Sequence, residues 1–288
     1  MLLLGIAPSP TDLEVVRRSF LTEINRERME RDLSPLRRSE ALCRAAQARA
    51  EEIASQENLD GAVASGDQIL AAAGRAGYRA DAVAEIVART DGDAALVVSS
   101  WREQADEIWN DVMSAQNHDV GIGAARLDEI PVYVIYVGTS VEDAFAARTA
   151  GLRNLARVRE ELLAAVNRRR AERTLPRLRL NRALESAAQR HAEDMRARGY
   201  YGHASPEGTM VTERARREGY RAERVGENLA RGQTSVEQVM AGWMGSTEHR
   251  ENILNPFFSE VGFGVTSGEM PDGPQVLWVQ VLGRSRGR

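Results

Sequence analysis

The sequence predicts an α+β protein made twice over, and three observations carry that reading. The chain repeats itself: Leu21 stands over Leu163, and the same spacing of 142 residues runs through Asn25 and Asn167, Gln47 and Gln189, Tyr78 and Tyr220, Glu85 and Glu227, and Trp101 and Trp243. Within each copy, helical periodicity comes first and strand-like runs come last, which sets helices over a largely antiparallel sheet. The 288 residues also suit two domains, each long enough for its own core.

Residues 1–10 read as a leader remnant or a disordered end, 11–140 as copy one, 141–152 as a linker and 153–288 as copy two. Residues 1–7 are apolar, but no basic residue precedes them and the run is short for a signal peptide. The linker is Ala-rich and ends near Gly151, so it serves as a spacer or a helical lead-in that keeps the copies close, as an intramolecular pseudo-dimer.

In copy two, residues 155–172 place Leu155, Val158, Leu162, Leu163 and Val166 at helical spacing. A second helix starts at the N-cap Asn181, carries Leu184, Ala187, Ala188, His191 and Met195 on one stripe, and stops at Gly199. The Gly and Pro content of residues 202–208 demands a loop. A short helix over 209–218 ends at Gly219, and another spans 235–245. The period then changes: 261–266 and 275–282 are β-branched and aromatic runs on either side of Gly268, Pro271, Asp272, Gly273 and Pro274, a hairpin pattern. Copy one repeats it near 120–125 and 132–137.

With 43% hydrophobic and 28% charged residues the chain reads as an ordinary globular protein, neither disordered nor membrane-spanning. A net charge of −4 exerts no long-range pull on nucleic acid. All 38 basic residues are arginine. The run Arg168, Arg169, Arg170, Arg173, Arg177, Arg179 and Arg182, like Arg26, Arg28, Arg31, Arg37 and Arg38 in copy one, reads as a solvated face with local ion pairs. The single cysteine, Cys43, stands over Glu185; it is expected to be exposed and not a nucleophile.

Four histidines remain. His191, over Arg49, suits the edge of a core face, and His118 a polar, exposed turn. His203 and His249 stand in dense polar settings, the first in the constrained loop before Pro206 and Gly208, the second in a segment that ends a helix and is closed by Pro256. Glu227, between Gly226 and Asn228, and Glu260, at a strand mouth, complete a set able to hold a divalent ion through the histidines or to run acid–base chemistry. Ser205, next to His203, reads as a turn-forming hydroxyl. The repeat sharpens this set: His203 stands over Gly61 and His249 over Glu107, while Glu227 keeps Glu85 and, one residue out of register, Glu260 keeps Asp119.

Gly202-His203-Ala204-Ser205-Pro206, Gly226-Glu227-Asn228-Leu229-Ala230, Trp243 through His249-Arg250-Glu251-Asn252-Ile253-Leu254, and Phe258-Ser259-Glu260-Val261-Gly262-Phe263-Gly264, in that order, resemble the CAP superfamily of cysteine-rich secretory, antigen 5 and pathogenesis-related proteins, in its disulfide-free bacterial branch. Copy one is similar only through the repeat, as a degenerate member. The resemblance implies an α-β-α sandwich with an open cleft at His203, Glu227 and His249. Glu260 matches an acidic residue of the bacterial branch, and Ser246 stands where animal members place a glutamate. It further implies a place outside the cell or at its envelope, against a cytoplasmic alternative. It implies zinc or another divalent ion on His203 and His249, and a small-molecule or lipid-like ligand or an envelope component as partner. The alternatives are a metal-assisted hydrolase using both histidines with a glutamate base, and a non-catalytic scaffold.

Overall fold

The computed structural model describes residues 10–56, 64–91, 93–128 and 130–286. The apolar run 1–7 and Gly61, the counterpart of His203, lie outside the described residues. The chain divides into two compact units, Met1–Ala144 and Phe145–Arg288. The first holds α1 (Pro10–Met29), β1 (Arg37–Arg38), α2 (Glu40–Ser55), α3 (Gly66–Arg75), β2 (Ala80–Arg89), α4 (Ala94–Gln104), α5 (Asp106–Met113), β3 (Asp119–Leu127) and β4 (Ile130–Ser140). The expected linker is α6 (Val141–Thr149), followed by the 3₁₀ turn Ala150–Arg153. The second unit holds α7 (Leu155–Ala171), β5 (Arg179–Leu180), α8 (Arg182–Arg198), α9 (Val211–Arg217), β6 (Ala222–Arg231), α10 (Val236–Gly245), α11 (Thr247–Ile253), β7 (Glu260–Met270) and β8 (Gly273–Ser285).

Each unit carries one four-stranded sheet, ordered β1-β3-β4-β2 and β5-β7-β8-β6. The two-residue strands β1 and β5 pair in parallel and the other pairings are antiparallel. Strand β8 shows why helices cover both faces. Val276 and Trp278 pack with α7, α10 and α11, whereas the alternate residues Leu277, Val279 and Val281 pack with α8 and α9. In β4, Tyr133, Ile135 and Val137 divide in the same way from Val132, Val134 and Tyr136. A strand buried on both faces reads as a continuous apolar run, and the result is the α-β-α sandwich.

Glycine sets how closely α8 lies on the sheet. A Cβ on Gly264 would stand 2.3 Å from the Ala188 carbonyl carbon, and one on Gly262 would stand 2.2 Å from that of Leu184. Gly121 and Gly123 make the same approach to α2 at Leu42 and Ala46.

The polar residues that the copies share act as main-chain substitutes. Asn167 donates to the Leu178 carbonyl and accepts from the Leu178 amide, at 3.0 and 2.8 Å, as Asn25 does with Leu36. Gln189 does the same for Val265, and Gln47 for Ala124. Each closes a backbone donor and acceptor that no strand partner reaches.

Several expectations are corrected. Arg170 and Arg28, read as solvated, are 0% and 1% exposed. Arg170 donates to the carbonyls of Pro176, Ile253, Asn255 and Phe258, and Arg28 to those of Ser34, Val112, Ser114 and Asn117. Five fixed guanidinium donors suit this task, and tertiary carbonyls leave no trace in a local charge pattern. Burial lowers the pKa of both groups from the usual arginine value. His118 and Cys43 are half-buried rather than exposed. The segment bearing His249 is a helix of its own, α11, because Ser246 leaves the helical region at ψ 132°. Finally, Val112 and Ile253, whose carbonyls the equivalent arginines take, are 141 residues apart. The extra residue of copy one thus enters before α5, and His249 stands over Ile108 rather than Glu107.

Arg170→Ala should destabilise the second unit by about 3–5 kcal/mol, since it leaves the carbonyls of Pro176, Ile253, Asn255 and Phe258 without their shared donor. Arg168→Ala, on the exposed side of the same helix, should change stability by under about 0.5 kcal/mol. Chemical denaturation of the full chain, with hydrogen exchange of β7 and β8 amides to resolve the second unit, checks both.

Candidate functional site

The site is assembled from a loop, an edge strand and a short helix of the second unit. Helix α8 ends where Gly199 turns left-handed at φ 67°, and its amide donates to the carbonyls of Met195 and Arg196. The chain then enters the loop that bears His203. Its far end is closed by bonds from the Ser205 amide to the Thr209 carbonyl and from the Gly208 amide to the Ser205 carbonyl, at 3.1 and 2.7 Å. His191, 1% exposed on α8, holds the loop from beneath through a 3.0 Å bond between Nε2 and the Gly202 carbonyl. That bond requires a proton on Nε2, while the Tyr200 hydroxyl, 3.5 Å from Nδ1, gives its single proton to Asp194. Burial lowers the His191 pKa, which keeps this neutral form in place.

Glu227 rises from the middle of β6, opposite Val281 of β8, and is 7% exposed. Its Oε1 accepts from His203 Nδ1 at 2.8 Å and its Oε2 from Arg214 Nη2 at 2.7 Å. Arg214, on α9, also donates from Nη1 to the carbonyls of His203 and Thr209. One guanidinium therefore fixes the carboxylate and the loop together. Because Nδ1 is taken, His203 presents Nε2 outward on a side chain that is 52% exposed. The hydrogen bond to Glu227 raises the His203 pKa. His249 on α11 is shifted the other way, by burial and by the charge of His203, so the two imidazoles lie within electrostatic reach.

Helix α11 is fastened to β6 by a buried amide ladder. Asn228 donates to the His249 carbonyl at 3.0 Å and to Gln280 at 2.8 Å, and Asn252 donates to Asn228 at 2.9 Å. Glu260 belongs elsewhere. Its carboxylate accepts from Asn181 and from Tyr220, both at 2.7 Å, and bonds to neither imidazole. Burial works against its charge, but the bonds from Tyr220, Asn181 and Ser285 prevail and hold its carboxyl below the usual range. Asp119 takes the equivalent bond from Tyr78, at 2.9 Å, together with Arg37. Ser205 donates to Glu207 and accepts from the Thr209 amide. Among the described residues no group of three or more His, Cys, Asp or Glu is arranged to hold a metal ion, and no helix is long and apolar enough to cross a membrane.

A family model described as the CAP, or cysteine-rich secretory protein, family matches residues 21–138 and again residues 163–282. The chain belongs to the CAP family. The uncharacterized protein YkwD of Bacillus subtilis (strain 168) is 33% identical over 112 residues, which are 38% of this chain and 44% of that protein. The chain thus spans less than half the length of that relative. Among solved structures, an extracellular protein containing an SCP domain from Bacillus anthracis is 22% identical, covering 54% of this chain and 52% of that one at a TM-score of 0.41. The structure of NaASP2 with Zn2+ is 13% identical, covering 45% and 80%, at a TM-score of 0.33.

The first CAP unit shows what the fold retains when the imidazoles go. Glu85 keeps its buried place, accepting from the Tyr136 hydroxyl at 2.9 Å and pairing with Arg49 at 3.3 Å. Arg49 stands where the second CAP unit has His191, and Ala72 stands where it has Arg214. Ile86 and Ile135 fill the places of Asn228 and Gln280. Sequence reasoning missed Arg214, His191, Asn228, Asn252 and Gln280. Arg214 and Asn228 were open to the test that singled out His203, because each is polar in one copy and apolar in the other.

Glu227→Gln should lower the His203 pKa from above the ordinary value of about 6.5 to that value or below. NMR titration of the imidazoles reads this directly, and an unmoved His203 would mean that Glu227 is not its partner in solution.

Proposed function

We propose that the second CAP unit is a binding module of the cell exterior or envelope, and that its cleft takes a divalent ion such as zinc on His203 and His249 together with a small organic ligand. The observation that carries this reading is the Glu227 hydrogen bond at His203 Nδ1, which turns Nε2 toward the open side. A carboxylate behind an imidazole in this way orients a metal-ligating histidine and raises its basicity. The lowered pKa of His249 supplies a second imidazole that is neutral at pH 7. Two imidazoles are an incomplete set for zinc, which takes three protein ligands where a position stays open and four where it is closed. The ion is therefore held weakly, and donors from the organic ligand complete it.

Hydrolysis is the weaker reading. A general base must reach the water it deprotonates, and Glu227 is 7% exposed and already accepts from His203 and Arg214. The Ser205 hydroxyl is turned to Glu207. Membership of a family described as secretory supports the exterior location. The first unit, with Gly61 and Ile108 at the places of His203 and His249 and its buried glutamate paired to Arg49, serves as a structural partner in this scheme.

Calorimetric titration of Zn2+ into the full chain should show one weak, saturable site. His203→Ala and His249→Ala should abolish it, and Glu227→Gln should weaken it about 10–100-fold. Binding that survives in both alanine variants would move the ion away from this cleft.

A further inference from the structure

The net charge of −4 is the remainder of a lopsided split. The first unit carries 14 arginines against 25 acidic residues, a net charge of −11, and the second carries 24 against 17, a net charge of +7. An asymmetry of this size directs an anionic partner to the second unit and away from the first.

Part of the excess gathers at one corner of the second sheet, where β6 begins and β8 ends. Arg224 and Arg284 are directly opposed across the two strands, and both guanidiniums lie over the ring of Phe257, 5.8 and 5.1 Å from its centre. Like charges opposed in this way are destabilising. Arg221 and Arg286 join the same strand ends, the Arg286 amide donating to the Arg221 carbonyl at 2.8 Å. Beside them a groove of about 700 Å³ runs to the end of α9, lined by Thr212, Arg216, Tyr220, Arg221 and Arg286. Glu213 pairs with Arg216 and Glu223 with Arg284, whereas Arg221, Arg224 and Arg286 are exposed and form no ion pair with any described residue.

The fold does not require this corner to be basic. In the first unit the equivalent cross-strand pair is Ala82 and Thr139, and the equivalent terminal bond runs from the Val141 amide to the Arg79 carbonyl, again at 2.8 Å. Leu70 and Gly74 stand at the places of Thr212 and Arg216, and Arg79 is paired with Glu142 at 2.9 Å.

We propose that this corner is a docking surface for a linear chain of linked phosphates. A guanidinium offers a phosphate paired N–H donors, and several unpaired guanidiniums along one groove match a row of charges better than a single anion. The groove is concave, which suits a chain rather than the flat face of a bilayer. Phe257 is already taken by two guanidiniums and is not offered to a nucleic-acid base. Nothing in this surface depends on an ion or ligand in the imidazole cleft.

Calorimetric titration of the full chain with short-chain inorganic polyphosphate tests it, with orthophosphate, an oligothymidylate and vesicles of phosphatidylglycerol in phosphatidylcholine alongside. Polyphosphate should bind saturably, and more weakly as salt rises. Arg224→Ala/Arg286→Val, substitutions that the first unit shows the fold to tolerate, should lower the affinity at least tenfold and reduce the slope of log affinity against log salt by about one to two. Arg196→Ala/Arg231→Ala removes the same charge near the β7–β8 hairpin, where these side chains meet Thr266 and Asp272, and should leave the affinity unchanged, as should His203→Ala. No saturable binding, orthophosphate binding as tightly as polyphosphate, tighter binding of the oligothymidylate or the vesicles, or equal affinity in the two double variants would overturn the proposal.

Discussion

A buried guanidinium that meets no carboxylate is the constraint on which each unit is built. Arg170 reaches back from α7 to its own turn at Pro176 and across to Ile253, Asn255 and Phe258, gathering the end of α11 and the approach to β7. The last carbonyls of a helix have no intrahelical donor and carry the negative end of its dipole, so a cation there does two things at once. It satisfies acceptors that would otherwise be stranded, and it sets its charge against the helix dipole, while burial still lowers its pKa. Helix α11 is only seven residues long and brings little stability of its own. Its place is set from outside, by Arg170 below and by the Asn228 ladder beside it. The position of His249 is thus inherited from an arginine on another helix.

The second constraint is the buried carboxylate on the edge strand. Glu85 and Glu227 occupy the same place, and each has a guanidinium beside it, but the guanidinium comes from different helices. Arg49 of α2 serves Glu85, and Arg214 of α9 serves Glu227. A buried charge tolerates a change of partner far better than the loss of one. The exchange explains how one unit keeps its fold without the imidazoles: Arg49 and Tyr136 both donate to Oε2 of Glu85, where His203 and Arg214 take one oxygen each of Glu227. It also frees position 191 for a neutral histidine, whose bond to the Gly202 carbonyl gives the His203 loop its floor.

Much of the fold was legible because its signals are local. The cap at Asn181, the stop at Gly199 and the two strands of the hairpin follow from residues read within a few positions of one another. Strand β6 was not legible. Its sequence, Ala-Glu-Arg-Val-Gly-Glu-Asn-Leu-Ala-Arg, has neither clean alternation nor an apolar run, and its extended form is imposed by pairing along β8. Arg170 was misread for the same kind of reason, since three consecutive arginines at a helix end look solvated until the distant carbonyls are in place. Of the candidate site, His203 and Glu227 come together at 2.8 Å, with His249 within their field, whereas Glu260 joins Tyr220 and Asn181 in a contact that recurs between Asp119 and Tyr78. Its survival in both copies pointed to that structural part.

Arg214 connects what would otherwise be two separate matters. Its Nη groups hold the Glu227 carboxylate and the carbonyls of His203 and Thr209, while the same residue forms part of the wall between α8 and α9. A guanidinium is planar and rigid, so its two Nη groups move as one body. A shift of α9 must therefore alter both the Glu227 carboxylate and the loop whose histidine that carboxylate turns outward. In the first unit Ala72 stands at this position, and the buried glutamate takes its guanidinium from Arg49 of α2 instead.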